Sequence, residues 1–386
     1  MTMLTTSSSQ AKQPPTRQLP TKLKDIMNID TLRVRFEAER AAGKRAKEAA
    51  ETMGVSEGEA VAAHCGEHDM GPKARALRTD WLELLQALQP CGPLMALTRN
   101  ESTVHEKTGI YQKVSATGHV GLVLGEDIDL RLFFHQWHAG FAVTELAANP
   151  GNRARQSLQF FDAHGKAVHK IFPRENTDFS AWDAVADAFS APDLAPVFRA
   201  KSVPAPIRLD GACDAQALGA AWAGMRDTHE FFGLLKTHGV ERQQSFRLVE
   251  GRFTRRMAAQ SVRVMLHEAA FDGTPIMCFV GSPGCIQIHT GPVRRIEPME
   301  IRGVRWLNVL DPGFNLHLRE DSIAHVWVVE KPTVDGVVTS LEAFDRDGEL
   351  MAMFFGVRKP GQPEKQVWRG TVAKLPAVQQ AAKVAP

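Results

Sequence analysis

One imidazole stands out for the company it keeps. In the run Trp222-Ala-Gly-Met225-Arg-Asp-Thr-His229-Glu-Phe-Phe232-Gly-Leu-Leu235, the residues Trp222, Met225, His229, Phe232 and Leu235 recur three or four positions apart. That spacing predicts a single helical stripe with His229 at its middle. The pattern closes at Gly239, a residue suited to a helix C-terminus, with Lys236 and His238 in the last turn and Arg242 just beyond. Imidazole ligates haem iron, an apolar stripe suits a flat macrocycle, and a fixed cation suits its carboxylates. The stretch therefore admits a haem ligand. It equally admits a core histidine satisfied by a backbone carbonyl, since buried polar groups ordinarily find partners.

The elements that must position this residue belong to an ordinary globular chain. At 386 residues, length alone suggests two domains, and 44% hydrophobic with 23% charged residues suffices for a packed core. Lys plus Arg number 46 against 44 for Asp plus Glu, which offers no electrostatic case for nucleic acid. Cys65, Cys91, Cys213, Cys278 and Cys285 are odd in number and lack CxxC spacing, so they read as reduced thiols. No apolar run approaches the roughly 18 residues of a spanning helix, and the first residues lack the apolar segment of a signal peptide. A cytoplasmic protein that is not membrane-embedded is the expectation.

Along the chain, residues 1 to 25 are rich in Thr, Ser, Gln and Pro and predict a disordered tail. Ile29 to Ala63 favours helix, interrupted at Gly54-Val55 and restarted by the capping residue Ser56. Asp80 to Leu88 predicts an amphipathic helix. The period then becomes two. Leu94–Leu97, Gly109–Val114, His119–Leu124, Asp129–Phe134, Phe141–Leu146, Leu158–Phe161 and Ala167–Phe172 read as strands, with a hairpin turn at Asp162–Gly165. A helix over Thr177–Phe189 and a Pro- and Ala-rich linker over Ala191–Pro206 close the first half. Thr254 to Ala270 predicts a further helix before strands resume at Ile276. His64-Cys65-Gly-Glu-His68 has metal-like spacing but no second ligand pair nearby.

The second half repeats the first. Met95 through Gly109 matches Met277 through Gly291 at an offset of 182; Ser157-Leu158, Phe161-Asp162, Gly165 and Phe172 meet Ser340-Leu341, Phe344-Asp345, Gly348 and Phe355 at 183; Gly54-Val55 meets Gly239-Val240 at 185. The fold class expected is α+β, a tandem duplication in which each half has helices followed by a large antiparallel sheet. The boundaries expected are 26–205 and 206–376, with a short tail over 377–386. His229 falls opposite Lys44, so the first copy offers no equivalent ligand and one haem per chain is the simpler expectation.

Several ordered motifs resemble the HemS/ChuS/HmuS family of cytoplasmic haem-utilisation proteins from about residue 30 to residue 370. They are Leu97-Thr-Arg99-Asn100-Glu-Ser-Thr-Val-His105-Glu106, Asp129-Leu-Arg-Leu-Phe-Phe-His-Gln136-Trp137, Thr228-His229-Glu-Phe-Phe232, Arg242-Gln-Gln-Ser-Phe246, Lys331-Pro-Thr-Val-Asp335-Gly336 and Gly356-Val-Arg358-Lys-Pro-Gly361. The resemblance implies haem in a cleft of the C-terminal half, with His229 as proximal iron ligand and Arg99 reaching the iron from the distal side, directly or through water. It implies Arg242, Lys331 and Arg358 as propionate partners, and Phe355 as a ring packing on the macrocycle. Without the resemblance, Arg99 reads equally as a surface partner of Glu101 or Glu106, and Lys331 as a solvated strand end. The sequence departs from the family at Phe355 and Val357, where polar residues are usual. The chain's one tyrosine is Tyr111. The Glu300–Arg305 segment is also longer, which predicts a longer turn away from the iron.

Two functions follow from the resemblance. One is trafficking and storage of haem received from an inner-membrane importer and passed to a haem oxygenase or reductase. The other is oxygenase-like opening of the porphyrin with iron release, in which Arg99 would act catalytically. The sequence carries no GxGxxG fingerprint after a strand, so a reductant would be external. A homodimer is an open expectation for the assembly.

Overall fold

The computed structural model describes residues 28–145, 153–201, 206–359 and 361–378. The expected tail over 1–25 and nearly all of that over 377–386 lie outside them.

Helices α1 (Ile29–Ala41), α2 (Ala46–Thr52) and α3 (Glu57–Ala62) open the first half, and α4 (Trp81–Ala87) and α5 (Phe179–Ala188) complete its set. Their counterparts are α6 (Ala215–Ala223), α7 (Glu230–His238), α8 (Arg242–Leu248), α9 (Ser261–Asp272) and α10 (Gln366–Ala373). The strands of the first half are β1 (Lys73–Ala76), β2 (Leu94–Arg99), β3 (Thr103–Gly109), β4 (Val114–Thr117), β5 (Val120–Leu124), β6 (Asp129–Phe133), β7 (Ala139–Glu145), β8 (Arg155–Phe161) and β9 (Ala167–Pro173). Those of the second are β10 (Thr254–Met257), β11 (Ile276–Gly281), β12 (Cys285–Gly291), β13 (Ile296–Ile301), β14 (Val304–Asp311), β15 (Phe314–Arg319), β16 (His325–Thr333), β17 (Gly336–Phe344) and β18 (Leu350–Gly356).

The strands form two nine-stranded antiparallel sheets, in the orders β1-β7-β8-β9-β2-β3-β15-β14-β13 and β10-β16-β17-β18-β11-β12-β6-β5-β4. Advancing each strand number by nine, cyclically, turns one order into the other. The duplication is therefore complete in topology. The exchange of β4–β6 and β13–β15 between sheets is not in the sequence reading, where each half kept its own meander. Alternation reports which face of a strand is buried, not which neighbour it pairs with. The seams are the β3–β15 and β12–β6 pairings, where Leu316 lies opposite His105 and Gln287 opposite Leu130.

Local sequence explains most element ends. Ser56 caps α3 in a reciprocal box with Glu59, and Gly239 ends α7 in the left-handed conformation at φ 60°. Asp162 Oδ1 accepts from the backbone N–H groups of His164 and Lys166, fixing the β8–β9 hairpin. Three expectations fail. Gly109–Val114 is no strand, because the β2–β3 ladder ends at the Leu94–Gly109 pair. Thr254–Met257 is a strand paired with β16, and helix begins only at Ser261. The expected helix through His229 is two helices, α6 and α7. The long Glu300–Arg305 segment makes the β13–β14 hairpin, whose turn carries Arg302 and Gly303 at φ 53° and 76° at one sheet edge.

Candidate haem site

Helix α6 stops at Gly224, and the chain turns through Arg226–Thr228 before α7 begins. The carboxylate of Asp227 marks where helix resumes: its Oδ1 accepts from the backbone N–H of His229, the residue at the cap of α7, at 2.8 Å. Short side-chain acceptors at this position satisfy helix-start donors that the helix itself cannot. The predicted stripe is thus divided between two helices. Trp222, Met225 and Leu235 are buried in one cluster with Phe231, Phe246 and Trp327, while Phe232 is 77% exposed. Phe231, not Phe232, is the inward ring.

His229 is not a core histidine. Its side chain is 90% exposed, and its Nδ1 lies 2.6 Å from Asp227 Oδ1. A carboxylate can only accept, so in the neutral ring the proton sits on Nδ1 and the Nε2 lone pair is left free. Among the described residues Nε2 has no hydrogen-bond partner. The N–H and ring of His229 hold the Asp227 carboxyl below its usual range, and the Arg358 charge adds to this. Arg358 itself lies 3.6 Å from Asp335. The loop is fastened to the β16–β17 hairpin by the Val334 N–H, which donates to Arg226 O at 2.9 Å.

Phe231 joins this loop to the cations. The Lys331 ammonium stands 4.7 Å from its ring centroid and the Arg242 guanidinium 5.1 Å, both within range of a cation–π attraction. Arg242, at the first position of α8, holds Glu342 by two bonds, Nε–Oε2 at 2.8 Å and Nη2–Oε1 at 2.9 Å. Lys331 reaches the same carboxylate at 3.1 Å, and Ser340 Oγ donates to it at 2.9 Å. Burial pushes the Glu342 carboxyl up, but Arg242 and Lys331 outweigh it and hold it at about 2. Burial lowers the Lys331 ammonium against the opposing pull of Glu342. Lys331 is therefore an interior cation, not a solvated strand end. The triad carries one net positive charge.

An apolar strip continues from Arg242. Its Nη2 meets Met353 Sδ at 3.1 Å; Phe355 stands two residues along β18, and its ring centroid lies 5.0 Å from that of Phe279. Met353, Phe355, Met277 and Phe279 are half-buried, alternating with the fully buried Phe354, Ile276 and Cys278 of the opposite face. An apolar strip, a rim of one net positive charge and a free imidazole nitrogen fit the macrocycle, carboxylates and iron of haem. His229, Arg242, Lys331, Phe355 and Arg358 thus fall in one connected region of the second half.

Arg99 does not join that region. It ends β2 and forms an ion pair with Glu57, whose second oxygen takes Lys170 at 2.7 Å. Burial raises the Glu57 carboxyl, but Arg99 and Lys170 hold it at about 2. Neither Glu101 nor Glu106 is its partner, since Glu101 binds Lys47 and Lys166 at 2.6 and 2.9 Å. Beside Arg99 is a cavity of about 130 Å³ lined wholly by first-half residues, among them Lys47, Glu51, Asn100 and His164. The next side chain does cross over: Asn100 Nδ2 donates to Met351 O at 2.9 Å and to Gly281 O at 3.3 Å. Arg99 is thus at the seam of the halves. Its cluster repeats the make-up of the Glu342 triad, one carboxylate held by two cations, but here the carboxylate Glu57 heads α3 where the cation Arg242 heads α8.

Asp227, Phe231, Glu342, Glu57 and Lys170 were absent from the sequence reading. Asp-x-His is a local signal for the first. The second carboxylate is visible only as a lone charge in the apolar run Val338–Phe344.

Known proteins place the chain. Hemin transport protein HmuS of Yersinia pestis is 40% identical over 334 residues, covering 86% of this chain and 93% of that one. The holo form of PhuS, described as a heme-binding protein from Pseudomonas aeruginosa, is 43% identical at a TM-score of 0.85 over 91% of this chain and all of that one. ChuS, described as an E. coli heme oxygenase, is 37% identical at a TM-score of 0.78, over 89% and 99% of the two chains. The family model for the haemin-degrading HemS.ChuX domain matches residues 54–189 and again 239–375, one match in each half. The chain belongs to the haemin-degrading HemS.ChuX domain family.

Proposed function

We propose that this protein binds haem on its second half and serves haem uptake and iron acquisition, with His229 as the iron ligand. The observation that carries this is the exposed imidazole of His229, its Nδ1 taken by Asp227 and its Nε2 free. Bound haem would bring the iron, an electron-accepting Lewis acid; the chain's residues hold and orient it. His229 would supply the nitrogen that holds the iron. Met353, Phe355, Met277 and Phe279 give an apolar bed that excludes water from one face. Arg242 and Lys331 set the propionates, tempered by Glu342, which removes one of their two charges.

The protein acts in the cytoplasm, receives haem from an inner-membrane importer and hands it to a haem oxygenase or reductase. The hemin transport role of HmuS supports this reading. So does the finding that, among the described residues, no helix is long and apolar enough to cross a membrane. The second reading, haem degradation on this chain, is favoured by the description of ChuS as a heme oxygenase. In that reading Arg99, at the seam of the halves, turns from Glu57 to the distal face and acts catalytically.

The test is to add an aerobic reductant to the hemin-loaded protein and follow products by mass spectrometry, with and without catalase. A carrier gives bleaching that catalase abolishes and passes intact haem to an acceptor. Repeated formation of one defined tetrapyrrole in the presence of catalase overturns the carrier reading in favour of the enzyme.

A further inference from the structure

The proximal side holds a carboxylate to which haem binding as such assigns no role. Asp227 Oδ1 accepts from two donors of the same residue, the His229 backbone N–H at 2.8 Å and the ring Nδ1–H at 2.6 Å. Since the imidazole is 90% exposed, no packing fixes its plane. Among the described residues, the Nδ1 bond to Asp227 is the one hydrogen bond that orients it, and the backbone bond holds the carboxylate in place to make it.

We propose that Asp227 is the positioning residue of the proximal ligand, fixing the tautomer of His229 and raising the electron density that Nε2 delivers to iron. The inference rests on the reading of His229 as that ligand. A ligating imidazole takes its donor strength from the acceptor on its other nitrogen, and an anionic acceptor gives the ring partial imidazolate character. Such a ligand stabilises iron in the ferric state relative to the ferrous state, because added electron density favours the higher charge on the metal. A protein so built holds ferric haem in the form in which it is carried and resists its reduction. Arg358 moderates the effect: its charge acts on Asp227 while its guanidinium lies against Asp335 at 3.6 Å. The site therefore couples a residue expected at the haem rim to the electronics of the axial ligand.

The test compares hemin complexes of the wild type, Asp227→Asn, Asp227→Glu and His229→Ala. Two quantities are read: the iron–histidine stretching frequency of the ferrous complex, and the ferric/ferrous midpoint potential. Asparagine retains a neutral acceptor for Nδ1–H. Asp227→Asn is therefore expected to bind one hemin with a lower iron–histidine frequency and a raised potential. Asp227→Glu is expected to return both toward the wild type. Unchanged frequency and potential in Asp227→Asn overturn the proposal. If His229→Ala retains the wild-type spectrum, the ligand reading itself fails, an outcome distinct from the first.

Discussion

The Arg242 guanidinium and the Lys331 ammonium reach the same oxygen of Glu342, at 2.9 and 3.1 Å. Lys331 is 4% exposed and Glu342 is sealed from solvent, so the three charges stand or fall together. Removing one partner of a buried pair leaves an uncompensated charge, at a cost of about 3–5 kcal/mol. Glu342→Gln should lower unfolding stability by that order in urea titrations. Adding Lys331→Met should recover part of the loss, since the orphaned cation is then gone. A Glu342→Gln variant as stable as the wild type would contradict the triad.

Acid stability depends on histidines kept neutral inside. His169 is held at about 3 by burial, with Tyr111 Oη and Thr98 Oγ1 on its two nitrogens at 2.8 and 2.9 Å. His289 is held at about 3 by burial and then by the Lys107 charge. An unfolded histidine takes its proton near 6.5. Between about 6.5 and 3 the unfolded chain therefore binds more protons, and stability falls as the pH falls, by about 1.4 kcal/mol per pH unit for each such group. The carboxylates of Glu57 and Glu342 add a second loss, setting in below their ordinary range and running down to about 2. Urea midpoints at pH 7.5, 6 and 5 should decline in order, and less steeply in His169→Gln. A flat profile over that range would refute this assignment.

Gly356, in the late motif beside Phe355, is set by packing. A Cβ there would come within 2.6 Å of Trp368 Cβ and Cγ, which α10 presses onto β18. Trp368 is fully buried and its Nε1 donates to Thr339 O at 2.9 Å, so it has little room to yield. Gly356→Ala should cost about 1–3 kcal/mol by overpacking. Thermal denaturation checks this, and a variant with wild-type melting would show that α10 moves freely.

The duplication, the capped helix at Ser56, the hairpin at Asp162 and the stop at Gly239 were all legible, because each rests on local chemistry or on self-similarity. The strand exchange was not, since it depends on pairing between residues far apart in sequence. Periodicity also ran through the break at Gly224: Trp222, Met225 and Leu235 do share one core, but from two helices. The Asp227 side chain, which meets the His229 N–H at the start of α7, carries no periodic signal of its own. Lys331 and Arg242 were named by resemblance; that they share Glu342 was not legible, because a lone carboxylate in a strand does not declare which face it occupies. Arg99 was less legible still: the strand expected over Leu94–Leu97 runs on to Arg99, and nothing local pointed to its partner Glu57, 42 residues earlier.

The central claim is that His229 holds the iron. Hemin titrated into the wild-type protein and into His229→Ala, followed by absorption spectroscopy, tests it most directly. The wild type should saturate at one hemin per chain with a histidine-ligated spectrum, and His229→Ala should lose that spectrum and bind at least tenfold more weakly. Unchanged spectrum and affinity in His229→Ala would contradict the account.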